Sequence, residues 1–126
     1  MAKCIIVADD DKEVRKIVTF ALTHNGFEVI AVNNGQQLQA ALARQLPDLL
    51  ILDVMMPGED GYHLCYAIRS DPRTRYIPII IMTAHTEEIY ERISTDLGVA
   101  EHMTKPFHPL ALVERVKALL SAPTQN

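Results

Sequence analysis

Apolar residues along this chain fall into two alternating rhythms. Short β-branched runs read as strands at 3 to 8 (KCIIVA), 27 to 32 (FEVIAV), 48 to 53 (DLLILD), 77 to 84 (IPIIIMTA) and, more weakly, 100 to 104 (AEHMT). Between them the apolar residues take a helical period. Val14, Ile17, Val18, Ala21 and Leu22 share one helix face that Asn25-Gly26 would end. Leu38, Ala41 and Leu42 mark a second helix between Asn34 and Pro47. A third starts at a cap on Asp60, turns Leu64 and Ile68 inward and must stop near Asp71-Pro72, because proline disfavours helical geometry at the residue before it. Ile89, Ile93 and Leu97, with Gly98 behind them, predict a fourth, and Leu110, Val113, Val116 and Leu120 a fifth opened by Pro109.

Regular βα alternation predicts an α/β fold: a doubly wound, five-stranded parallel sheet with right-handed crossovers and five helices on its two faces. The run 48 to 53 is too apolar for a strand with one wet face, as expected when helices cover both sides. It nevertheless finishes on a carboxylate, Asp53. In such sheets ligands bind beyond the carboxyl ends of the strands. The residues predicted at those ends are Asp9 and Asp10 after the first strand, Asp53 ending the third, Thr83 near the end of the fourth and Lys105 just past the fifth.

Three carboxylates gathered there would repel one another, each pair by about 4 kcal/mol at 4 Å with an effective dielectric near 20. A divalent cation removes the conflict. All-oxygen ligation favours Mg²⁺ or Mn²⁺ over zinc, since no Cys or His stands at a strand end within the cluster. The histidines His24, His63, His85, His102 and His108 are scattered over different elements and make no zinc site.

Composition narrows the classes further. A chain of 126 residues, 48% hydrophobic, fits one domain with a core. Its formal net charge of −4 argues against direct nucleic-acid binding, which needs a basic face. The start, MAKCIIVADDD, is too short an apolar run for a secretion signal or a membrane span, so a cytoplasmic protein is expected. Cys4 and Cys65 lie in apolar segments without metal-ligand spacing and read as small buried hydrophobes.

Four stretches, IIVADDD, LLILDVMMPGEDG, IIIMTA and HMTKPF, resemble in order and spacing the signatures of the receiver domain of bacterial two-component response regulators, the single-domain chemotaxis regulators among them. The resemblance runs over about residues 3 to 120, and it implies strand order 2-1-3-4-5. It implies that Asp53 is the phosphoacceptor, that Asp10, Asp53 and the backbone carbonyl of Met55 bind Mg²⁺ directly, and that Asp9 helps through water. Thr83 would be the switch hydroxyl, Lys105 the cation paired with the phosphoryl group, and Lys105-Pro106 a cis peptide. His102 stands where receivers commonly carry an aromatic that swings inward with the switch. Met55 and His85 would flank the phosphoryl group and set its rate of hydrolysis.

The implied activity is that of a phosphoacceptor signalling domain, no enzyme beyond catalysing its own phosphorylation and dephosphorylation. A sensor histidine kinase or phosphotransfer protein would donate, docking on the first helix near Arg15. A downstream target, an effector domain or a second copy in a phosphorylation-dependent homodimer would read the face of the fourth helix, fifth strand and fifth helix, with Tyr90, Arg92, His102 and Arg115 as candidates. The receiver would span 1 to 122, with 123 to 126 a polar tail, and the chain would be a stand-alone receiver or part of a longer regulator. Two alternatives share parts of this pattern. Haloacid-dehalogenase-type phosphatases use a strand-end Asp with Mg²⁺, but Asp53 is followed by Val54 and Met55, with no second acid to protonate a leaving group. A flavodoxin-like flavin carrier would need a hydroxyl- and Gly-rich phosphate loop where this chain has Asp9 to Asp11. Acids at that place also have a plain role as helix caps, the one expected of Asp11.

Overall fold

The five apolar runs form β1 (Cys4–Ala8), β2 (Glu28–Val32), β3 (Leu49–Asp53), β4 (Ile79–Thr83) and β5 (Glu101–Thr104) in a computed structural model that describes residues 2–58, 60–84 and 87–121. Each strand is shorter at one end or both than its apolar run. The helices between them are α1 (Lys12–His24), α2 (Gly35–Arg44), α3 (Gly61–Ser70), α4 (Glu88–Asp96) and α5 (Pro109–Ser121). All strand pairs are parallel and the sheet order is β2-β1-β3-β4-β5, the order the resemblance implied.

The central strands β1, β3 and β4 are buried throughout, whereas the edge strands β2 and β5 are mixed. Alternation sends Ile6, Ala8, Leu50, Leu52, Ile79 and Ile81 into a cluster with Leu38, Leu42, Cys65 and Ile68 of α2 and α3. The intervening Ile5, Val7, Leu49, Ile51, Ile80 and Met82 meet Val18, Leu22, Leu112 and Val116 of α1 and α5. Two cores therefore lie on opposite sides of one sheet. Cys4 and Cys65 are both buried free thiols, Cys65 within the α2–α3 core, and burial pushes Cys65 up to about 11, so it stays protonated.

The caps expected at Asp11 and Asp60 are in place, and Asn34, at the boundary read for the second helix, caps α2. Asp11 accepts from the backbone N–H groups of Glu13 and Val14, Asn34 from Gln37, and Asp60 from Tyr62 and His63. Helix α3 stops at Ser70 with Asp71 as its C-cap, just before Pro72. The apolar stripes are wider than the faces that become covered. Ile17 is 46% exposed, Leu110 66% and Ile89 60%, because the sheet and the neighbouring helix cover only the inner part of each stripe. Ile68 is fully inward and Leu64 only partly so. No described helix is long and apolar enough to cross a membrane.

Candidate functional site

The carboxyl ends of β1, β3, β4 and β5 converge, and four of the five residues named there have side chains that belong to one network. Asp53 ends β3 with its side chain buried, and Asp9, just past β1, is fully buried. One carboxylate oxygen each from Asp9, Asp10 and Asp53 lies within 4.8 Å of the others; among the described residues this is the one group of acids, His or Cys so arranged. Asp10 is its exposed member. Lys105 reaches in from beyond β5, its Nζ 2.8 Å from Asp9 Oδ2 and 3.4 Å from Asp53 Oδ2. The Lys105-Pro106 peptide is cis.

Backbone groups fix the acids. The Met55 N–H donates to Asp53 Oδ1 at 3.0 Å and the Asp11 N–H to Asp9 Oδ1 at 2.9 Å. Arg15 Nη1 donates to the Asp9 carbonyl at 2.8 Å, a tie from α1 that no sequence motif announces. Burial pushes Asp53 up to about 6; the Met55 N–H opposes this, the Asp9 charge adds to it, and Lys105 only partly offsets it. For Lys105 burial works against the ammonium, yet its hydrogen bond to Asp9 and the charges of Asp53 and Asp9 prevail and raise its pKa. A buried acid held up in this way has less positive charge around it than burial and the neighbouring carboxylate call for. Three carboxylates sharing one exposed opening are the donor set of a hard divalent cation, so the residues fit Mg²⁺.

The turn after Asp53 is shaped by two glycines with different tasks. Gly58 takes φ +74°, the left-handed region that glycine enters without strain. Gly61 opens α3 pressed onto β3's exit: a Cβ there would stand 2.2 Å from Val54 Cα, and its N–H donates to the Val54 carbonyl at 3.2 Å. The start of α3 is thus seated one residue past Asp53.

Thr83 closes β4 fully buried, and its carbonyl accepts the Lys105 N–H at 2.7 Å. In the register its partner on β5 is Thr104, and half-buried His102 lies two residues earlier on the same sheet face. Tyr62, which the sequence did not single out, is half-buried with its ring stacked on Tyr90, centroids 5.8 Å apart. Its only sequence signal is its place directly after the Asp60 cap and Gly61. Tyr90 is accordingly half-buried against α3, whereas Arg92 is exposed and Arg115 pairs with Glu101. Met55 has a side chain 46% exposed beside the acids, and His85 lies outside the described residues.

The family profile of the response regulator receiver domain matches residues 5–117. The chain is 42% identical over 118 residues to the transcriptional regulatory protein GltR of Pseudomonas aeruginosa, a match covering 94% of this chain and 49% of that protein. It is 38% identical over 120 residues to the phosphate regulon transcriptional regulatory protein PhoB of the same organism, covering 95% and 52%. It thus spans about half the length of these relatives. Among solved structures, a putative response regulator from Chloroflexus aurantiacus superposes with TM-score 0.89 at 34% identity, covering 97% of this chain and all of that one. The chemotaxis response regulator CheY4 of Vibrio cholerae gives 0.88 at 25% identity, covering 95% and all of that chain. Neither the phosphatase nor the flavin-carrier alternative finds support in these likenesses, and the chain belongs to the response regulator receiver domain family, whose members are phosphorylated on an aspartate in two-component signalling.

Proposed function

We propose that Asp53 is the residue of this chain that takes the phosphoryl group, from the phosphohistidine of a sensor histidine kinase or a phosphotransfer protein. The observation that carries this reading is the buried Asp53 carboxylate with the Lys105 ammonium 3.4 Å away and two further acids within 4.8 Å. Receiver domains bind Mg²⁺ at an acidic aspartate cluster; in this chain Asp10, Asp53 and the Met55 carbonyl would hold it, with Asp9 acting through water. When bound, Mg²⁺ (or Mn²⁺) supplies positive charge to the oxygens of the transferring group.

The chain's own part is positioning. An Asp53 oxygen attacks phosphorus while the bond from phosphorus to the donor imidazole nitrogen breaks. The imidazole leaves with the electron pair and keeps or takes up one proton, and Asp53 becomes an acyl phosphate. Lys105, already paired with Asp53, turns its ammonium to the phosphoryl oxygens, and Thr83 donates its hydroxyl to another. Water attacking the same phosphorus reverses the modification, with Met55 and His85 bordering its approach.

An apolar groove of about 490 Å³ runs beside Lys105, lined by Val14, Ile17, Phe107 and Pro109. It meets a second of about 480 Å³ between α1 and α5, where Phe20 is 72% exposed. This continuous surface suits the donor protein, since it reaches the phosphoryl site. The α4, β5 and α5 face, with exposed Ile89, half-buried His102 and the Glu101–Arg115 ion pair, is then the surface read by a target, an effector domain or a second copy. The domain spans 1 to 122 and works in the cytoplasm. Intact-mass analysis after acetyl phosphate and Mg²⁺ tests the reading: the wild type should gain one phosphoryl group and Asp53→Asn none, and equal modification of both proteins overturns it.

A further inference from the structure

Asp9 is tied at each of its polar atoms, and the ties come from different parts of the fold. Its N–H joins the sheet by donating to the Val32 carbonyl at 3.1 Å, Oδ1 accepts the Asp11 N–H at 2.9 Å, and Oδ2 accepts Lys105 Nζ at 2.8 Å. The remaining atom, the carbonyl oxygen, accepts Arg15 Nη1 at 2.8 Å. That carbonyl belongs to the planar peptide unit joining Asp9 to Asp10, so the guanidinium sets the plane from which Asp10 departs.

Asp10 needs such a setting. It is the exposed member of the acid group, so the packing that fixes Asp9 and Asp53 does not fix it. An exposed side chain is aimed chiefly by its backbone, and a turn of one peptide unit would carry its oxygen beyond the 4.8 Å that now gathers the three acids. Arg15 is well mounted to prevent that turn. Its own N–H donates to the Asp11 carbonyl at 3.0 Å, and the Asp11 carboxylate caps the same first turn of α1 through Glu13 and Val14. The half-buried side chain then reaches back to Asp9 with a charge-assisted hydrogen bond from a group that stays protonated.

We propose that Arg15 is a positioning residue for the cation site: by holding the Asp9–Asp10 peptide it aims the Asp10 carboxylate beside Asp9 and Asp53. This rests on the reading of that acid group as the Mg²⁺ site. Positioning and bare charge act with opposite sign here. A guanidinium close to a cation site repels the cation, so its removal would tighten binding if charge were its only effect, whereas removal of a positioning group loosens it.

Mn²⁺ alone is the first probe, titrated into metal-free protein and followed by its EPR signal. Arg15→Met keeps an apolar stem and removes the donor; it should bind Mn²⁺ more weakly by roughly three- to tenfold, the worth of one hydrogen bond. In the metal-free protein its Asp10 amide should shift in the NMR spectrum. Acetyl phosphate, a small donor that needs no docking surface, gives the second readout. The Mg²⁺ concentration for half-maximal phosphorylation of Arg15→Met should rise by the same factor while the rate at saturating Mg²⁺ stays near that of the wild type; a loosened fold would lower that rate as well. Arg15→Lys, which keeps a cationic donor, should fall between the two proteins. Mn²⁺ affinity of Arg15→Met equal to or tighter than wild type overturns the inference. A wild type that binds no Mn²⁺ overturns the reading of the site and the inference with it. Mn²⁺ binding that weakens in Arg15→Met, beside a wild type that acetyl phosphate leaves unmodified at Asp53, supports the inference and overturns the phosphoacceptor reading alone.

Discussion

Lys105 and Asp9 form the tightest ion pair of the site, 2.8 Å apart, although the carboxylate is fully buried and the ammonium is not. Asp53 receives the same cation at 3.4 Å, so one positive charge serves two buried acids. Lys105→Met should leave both without compensation and cost about 1–3 kcal/mol at pH 7.5, less than a wholly buried pair would because water reaches the lysine. Urea denaturation without divalent cation measures it; stability equal to wild type would mean that water already solvates the acids.

Protonation of Asp53 favours the folded state, so this one acid contributes more in acid than at neutral pH. Asp53 is held at about 6 against its ordinary 3.8, a raised folded-state value. Its contribution to stability is therefore fully present below about pH 4 and is lost as pH rises through about 6. In chelator the wild type should lose stability over that window relative to Asp53→Asn, by up to about 3 kcal/mol. Adding Mg²⁺ at pH 7.5 should restore the wild type and affect the Asn protein much less. Parallel pH profiles for the two proteins would contradict the assignment.

Gly61→Ala and Gly58→Ala should differ in kind. The first places a Cβ 2.2 Å from Val54 Cα, a backbone atom that cannot swing aside, so α3 must shift. We expect a loss of about 2 kcal/mol or more and slower phosphorylation, since the displaced residue follows Asp53. The second meets no atom within 4 Å and pays only for its positive φ, about 1 kcal/mol, with phosphorylation unaffected. Thermal melts and acetyl phosphate kinetics on both variants decide; equal effects would remove the steric argument.

Met55 gives the acids a backbone donor and leaves nearly half of its side chain in solvent. An apolar side chain at that place excludes water without orienting it. Met55→Asn should therefore shorten the phosphorylated lifetime several-fold in Mg²⁺ buffer, with the phosphorylation rate little changed. A lifetime equal to wild type would show that Met55 does not border the path of the attacking water.

The elements were legible because each rhythm is local. Strand alternation, the caps at Asp11, Asn34 and Asp60 and the stop at Asp71-Pro72 all act over a few residues. The strand-end rule then gathered Asp9, Asp10, Asp53 and Lys105 before any coordinate was known. Exposure of Ile17, Ile89 and Leu110 was not legible, since a periodic stripe does not say how much of it a neighbour covers. Tyr62 stayed hidden for a related reason: its stack on Tyr90 joins α3 to α4, far apart in the chain, and nothing in its own segment marks it.

The two separate cores have a consequence for how such a domain changes over generations. Side chains on α1 such as Ile17 and Phe20 stand outside both cores, so they can be exchanged without disturbing Thr83 or α4 behind the sheet. With the donor docked on α1 as proposed, a duplicated copy of the domain is free to acquire a new correspondent there while inheriting its reply unchanged, and a family can multiply its wiring from a single chemistry.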